Sequence, residues 1–167
     1  MLIKRLLVSA IGLPALIAGA LLATTPAQAT TPTQAAASAQ DTAGVRWVRL
    51  PAAPAASPAG LRATAPSASP APGYTDYDPG SIASCSRGVL CTAVWNPVNN
   101  KWRQFNLSAC NLYRLAYWQG GGSYFNNQTG GVTSYFYGQT GNELLRFTPD
   151  RTQHGYNWDD VYSIRNC

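Results

Sequence analysis

The chain is short of charge, and shortest of the residues that carry acid–base and metal chemistry. Only 11% of its 167 residues are Asp, Glu, Lys or Arg, and it holds one histidine and one methionine. With His154 as its single imidazole, a Ser or Cys nucleophile lacks the paired base that would activate it. Asp159 and Asp160 are adjacent, so on a strand they point opposite ways, which is poor geometry for a glycosidase pair. No Gly-Lys-Ser/Thr follows Gly120-Gly121-Gly122 or Gly130-Gly131, which excludes a phosphate loop. The sequence therefore reads as a non-enzyme. Basic charge is also lacking where it would matter. The whole chain has 12 Lys/Arg against 7 Asp/Glu, but residues 74–167 hold seven against six. No basic stripe is left to recruit nucleic acid or an anionic membrane. Beyond residue 29 no apolar run approaches membrane-spanning length.

What is present divides the chain in three. Residues 1–29 read as a secretory signal peptide: Lys4 and Arg5, an apolar stretch from Leu6 to about Leu22, then Ala27-Gln28-Ala29 as a small-x-small cleavage site. The expected product is secreted, free of membrane and monomeric. Residues 30–73 contain fourteen Ala and seven Pro in 44 positions. Such a stretch buries too little apolar surface to offset its ordering entropy, so it reads as a linker or pro-segment. Its one interruption, Val45-Arg46-Trp47-Val48-Arg49-Leu50, reads as a sticky spot in that linker rather than a docked segment. Residues 74–167 hold seventeen of the eighteen aromatic residues and all four cysteines. They form the expected domain, small enough to benefit from cross-links.

Cys85, Cys91, Cys110 and Cys167 are an even set in an exported chain, and disulfides are the default reading. Three pairings are open. A local Cys85–Cys91 clip is favoured, which leaves Cys110–Cys167. A zinc site fits neither the spacings nor the lone histidine. Strand signals dominate the domain. Runs at 90–95, 101–107, 123–127, 132–137, 143–147 and 161–165 are β-branched or aromatic and are separated by Asn, Pro and Gly turns. Trp102 breaks the alternation of its run by one residue. Leu112–Ala116 is the one place where a helical turn could form, and His154 reads as part of an exposed loop. Trp118 to Asn126 recurs forty residues on as Trp158 to Asn166, with Trp, Ser and Asn in register. Two such units, each unable to bury its apolar face alone, must pack on each other. The expected class is all-β, a sandwich of two four-stranded Greek-key motifs. The halves are set at Thr92–Asn127 and Thr133–Asn166.

An aromatic hairpin followed by Trp-x-x-x-x-Ser, twice over, resembles the βγ-crystallin pattern. Cys85-Ser86-Arg87-Gly88-Val89-Leu90-Cys91 followed by Val94-Trp95-Asn96-Pro97 resembles the start of secreted actinobacterial domains related to the Streptomyces metalloproteinase inhibitor family. That resemblance implies a βγ-crystallin-like, disulfide-bonded peptidase inhibitor whose partner is a secreted metallopeptidase. The candidate inhibitory loops are Gln119, Gly120, Gly121 and Gly122, running to Ser123, and Gly138, Gln139, Thr140 and Gly141, running to Asn142. The superfamily's calcium motif is matched by Asp159, Asp160 and Ser163, while Ile164 replaces its last Ser. In the first half Gln119 and Gly120 replace the acidic or amide pair. One weak calcium site is the most that pattern allows, and no other cofactor is expected. A second reading comes from the tyrosines, which outnumber what one small core needs. A tyrosine-bearing surface suits a wall-glycan-binding or killer-toxin-like module.

Overall fold

Buried indole N–H groups need acceptors, and two of them in this chain find theirs in the segment where the sequence argues for a linker. Trp102 Nε1 donates to Pro51 O at 2.9 Å, Trp118 Nε1 to Ser67 O at 2.8 Å, and Arg103 Nη1 to Pro66 O at 3.2 Å. Proline cannot donate, but its carbonyl accepts as well as any other. The computed structural model describes residues 44–55 and 63–167. The signal-peptide expectation at 1–29 lies outside them. Within them the linker expectation is corrected: parts of 44–73 are strands of the folded domain.

The described residues are all-β, with no helix. The strands are β1 (Arg46–Arg49), β2 (Ser67–Ser69), β3 (Gly73–Tyr77), β4 (Ile82–Cys85), β5 (Leu90–Asn96) and β6 (Lys101–Leu107), then β7 (Leu112–Ala116), β8 (Gly121–Asn126), β9 (Ser134–Tyr137), β10 (Glu143–Phe147), β11 (Gln153–Asn157) and β12 (Ser163–Arg165). They form a two-stranded ribbon, β1-β4, and two five-stranded sheets, ordered β11-β8-β5-β6-β3 and β10-β9-β12-β7-β2. Neighbouring strands pair antiparallel throughout. In both β5–β8 and β9–β12 the third strand leaves its own sheet and pairs in the other's.

Two apolar layers result. Leu90, Val94, Phe105, Leu107, Tyr113, Trp118, Tyr124, Phe136, Trp158, Val161 and Ile164 come from both large sheets and fill the space between them. The repeated indoles meet there, with Trp118 and Trp158 edge to face at 5.1 Å. The second layer joins Val48 and Leu50 of the β1 segment to Ala83, Cys85, Cys91, Ala93, Trp102 and Phe125. The β5 sheet is therefore covered on both faces. That explains Trp102: it stays in phase with its strand and faces the ribbon, while Phe105 and Leu107 face the opposite sheet. Val48 and Leu50 are 5% and 1% exposed, so Val45–Leu50 is core-forming and not a sticky spot in a linker.

Two local expectations also change. Leu112–Ala116 is strand, with Tyr113 buried and both neighbours exposed, the two-residue period of a half-buried strand. His154 lies in β11, opposite Tyr124, and not in a loop. Cys85–Cys91 and Cys110–Cys167 are bonded, and no described cysteine is free. Disulfides indicate an oxidising environment. Among the described residues no helix is long and apolar enough to cross a membrane.

Candidate functional site

The first candidate loop is largely built into the sheet. Gly121, Gly122 and Ser123 belong to β8 and pair with Asn157, Tyr156 and Gly155. Gly120 N donates to Asp159 Oδ1 at 2.6 Å and Gly120 O accepts from Trp158 N at 2.9 Å. Ser123 is buried. Gly121–Ser123 is therefore sheet rather than free loop, while Gln119 and Gly121 remain exposed at its start. Gly138–Asn142 is a tight hairpin turn, closed by Gly138 N to Asn142 O at 2.9 Å and Gly141 N to Gly138 O at 3.0 Å. Gln139, Thr140 and Gly141 are exposed at its tip.

Sequence reasoning missed a third loop, the connection from β6 to β7. Ser108, Ala109 and Cys110 are exposed and Leu112 is 40% exposed. Four links hold this loop from behind. Cys110 is bonded to Cys167. Asn166, fully buried, accepts from Asn111 N at 3.0 Å and donates to Leu107 O at 2.9 Å. The Tyr113 hydroxyl donates to Ala109 O at 2.9 Å. An exposed backbone held this way has little conformational entropy left to lose on binding. The signal was in the sequence as Cys110-Asn111, but their partners Cys167 and Asn166 lie 57 and 55 residues away.

The calcium-motif residues are placed differently. Asp159 and Asp160 are exposed beside β12, and one oxygen of Asp159 already accepts the Gly120 amide. Among the described residues no group of three or more His, Cys, Asp or Glu gathers closely enough to hold a metal ion. Calcium takes six to eight oxygen ligands, and Asp159, Asp160 and Ser163 do not by themselves meet that demand. His154 Nε2 lies 2.7 Å from Asp150 Oδ2. Partial burial pushes the Asp150 carboxyl up, but the Thr152 amide and His154 outweigh it and hold the group below the usual range. Burial raises the Tyr124 and Tyr156 hydroxyls above theirs.

The tyrosines split between core and surface. Tyr113 and Tyr124 are buried, whereas Tyr74, Tyr117 and Tyr162 are largely exposed. Tyr135 and Tyr137 stack at 5.7 Å on the outer face of the β9 sheet, with the Arg146 guanidinium 5.3 Å from the Tyr135 ring. Arg165 is the cross-strand neighbour of Tyr135. No family model, curated protein or solved structure matches this chain.

Proposed function

We propose that this chain is a secreted, non-enzymatic inhibitor of metallopeptidases that presents residues 108–112 to the protease cleft. The observation that carries it is the exposed β6–β7 loop fixed by Cys110–Cys167, Asn166 and Tyr113. A loop so held binds like a substrate yet resists being drawn apart after attack, because its ends stay in place. The choice of metallopeptidase rests on the resemblance of the Cys85–Pro97 segment. The strand orders support a βγ-crystallin-like reading. In each set of four the fourth strand returns beside the first, giving the 4-1-2 order of a Greek key whose third strand is exchanged.

The test is titration of the disulfide-intact chain into thermolysin-like and subtilisin-like peptidases. The expected result is stoichiometric loss of metallopeptidase activity. Tyr113→Phe keeps the ring in the core but frees Ala109 O, and should weaken inhibition and let the loop be cut. Undiminished activity of both enzymes at micromolar chain would refute the proposal. A second reading, wall-glycan binding, is favoured by the stacked Tyr135–Tyr137 platform with Arg146 beside it. It requires that the chain be retained on cell-wall polysaccharide and that Tyr135→Ala with Tyr137→Ala abolish the retention.

A further inference from the structure

A cleft of about 470 Å³ opens where the Cys85–Cys91 turn meets the loops after β8 and β10, and its lining includes Arg46, Arg87, Asn126, Gln128 and Arg151. This volume suits a small ligand. No Asp or Glu is among the described lining residues. Asp150 adjoins it in sequence, but its carboxylate oxygens are engaged by Thr152 N at 3.0 Å and by His154 Nε2 at 2.7 Å. Arg151 itself is held at a φ of 60°, a left-handed conformation that L-residues other than Asn and Asp seldom adopt. Most of the neutral side chains in the wall are already committed. Asn127 Nδ2 donates to Gly44 O and Cys85 O, and Gln128 bonds both Asn166 O and the Ser134 hydroxyl.

Asn126 is the exception, and the internal repeat shows why. Its counterpart forty residues on, Asn166, is fully satisfied: it accepts from Asn111 N and donates to Leu107 O, closing the loop after β6. Asn126 accepts from Gln128 N at 3.1 Å, but its Nδ2 has no partner among the described residues although the residue is only 1% exposed. The loop after β10, which contributes Pro149 and Arg151, does not close on Asn126 as its counterpart closes on Asn166. A buried donor without an acceptor is costly. Here it lies in a wall whose other uncommitted groups, among the described residues, are the guanidinium forks of Arg87 and Arg151. Among the described residues no carboxylate pairs with Arg87 or Arg151.

We propose that this cleft binds an oxyanion, the phosphate or carboxylate of an extracellular ligand of sugar size. Forked guanidinium donors match such groups in geometry as well as charge. The site is distinct from the β6–β7 loop and does not depend on the inhibitor reading. The test is calorimetric titration of the disulfide-intact chain, at fixed ionic strength, with inorganic phosphate, glucuronate and glucose. Phosphate or glucuronate binds, and which of the two binds more tightly tells the ligand class; glucose does not. Arg151→Gln and Arg87→Gln each weaken that binding about tenfold or more, while Arg151→Lys retains part of it. Arg165→Gln, on the outer sheet face, leaves it unchanged, and circular dichroism confirms that each variant is folded. Absence of heat with either anion at about 10 mM, or an equal loss in Arg165→Gln, overturns the proposal.

Discussion

Three adjacent glycines should respond to alanine in three different ways. Gly122 packs against backbone: a Cβ there would overlap Ala93 O and Trp158 Nε1, and Trp158 Nε1 donates to that same Ala93 O at 2.9 Å. Neither a main-chain oxygen nor a fully buried indole can swing aside. Overpacking costs about 1–3 kcal/mol, and breaking the indole hydrogen bond in the core adds about 1–3 kcal/mol. Gly122→Ala should therefore lose about 2–6 kcal/mol. Gly120 has open space for a Cβ but a φ of +68°, so alanine there costs about 1–2 kcal/mol. Gly121 has neither constraint, with nothing within 4 Å of a Cβ and no left-handed φ. Alanine in its strand should be neutral or stabilising by up to about 1 kcal/mol. The assay is the denaturant midpoint with both disulfides intact, read at constant m-value so that the shift is a stability change. If Gly122→Ala were no worse than Gly121→Ala, Trp158 would not be seated on β5 as described. The placement of 121–123 in the sheet would then fail as well.

Three further outcomes follow from the same packing. Asp76 accepts from Arg103 Nε and Nη2, both at 2.8 Å, and from Asn99 Nδ2 at 2.7 Å, which ties β3 to β6. The Arg103 hydrogen bonds hold its carboxyl below the usual range. Its contribution is therefore complete above the unfolded value of about 3.9 and is lost as pH falls through the lower folded value. Asp76→Asn should lose about 1.5–3 kcal/mol near neutrality and flatten the acid limb of a midpoint-against-pH plot, and an unchanged acid limb would contradict this. Removing Cys110–Cys167, with a separation of 57, should cost about 4 kcal/mol against about 2 kcal/mol for Cys85–Cys91, with a separation of 6. Paired Cys→Ser variants compared by denaturant midpoint check that order. Trp102→Phe frees Pro51 O and should cost about 1–2 kcal/mol. In hydrogen exchange the β1–β4 amides should then open before those of β5–β8, and uniform loosening would count against a separate ribbon layer.

The legibility of the fold followed the range of the interactions. Leu90–Asn96, Lys101–Leu107 and Glu143–Phe147 were readable because each is rich in apolar strand formers and is bounded by a local turn. Asn100, in the first of these turns, takes the left-handed φ of 56° that Asn tolerates. β11 was not readable, since Gln153-His154-Gly155-Tyr156-Asn157 has no apolar period and is a strand because β8 offers it an edge. β1 was hidden by composition. Ala and Pro around it lower the mean signal, whereas Val48 and Leu50 find a ready-made apolar face on β5 and β8, which no local window contains. The even cysteine count pointed to disulfides, and the structure joins the favoured pairs.

The repeat was visible as Trp118 with Trp158, Ser123 with Ser163 and Asn126 with Asn166, but a repeat shows what two halves share, while a site arises where they part. The shared indoles fill one interior and meet each other. The shared asparagines face two different loops. Asn166 meets a loop already pinned by a disulfide and completes it; Asn126 meets one that turns at Arg151 and leaves an amide and two arginines without acceptors among the described residues. The glycine run Gly120-Gly121-Gly122 stood in the sequence as part of a candidate inhibitory loop, and in the structure it serves close approach, with Gly122 yielding its side-chain volume to Trp158. The places with chemistry to offer are instead next to the repeated residues, in the loops that each half closes differently. Gln128 lies between them, lining the cleft while donating to the carbonyl of the asparagine that holds the other loop.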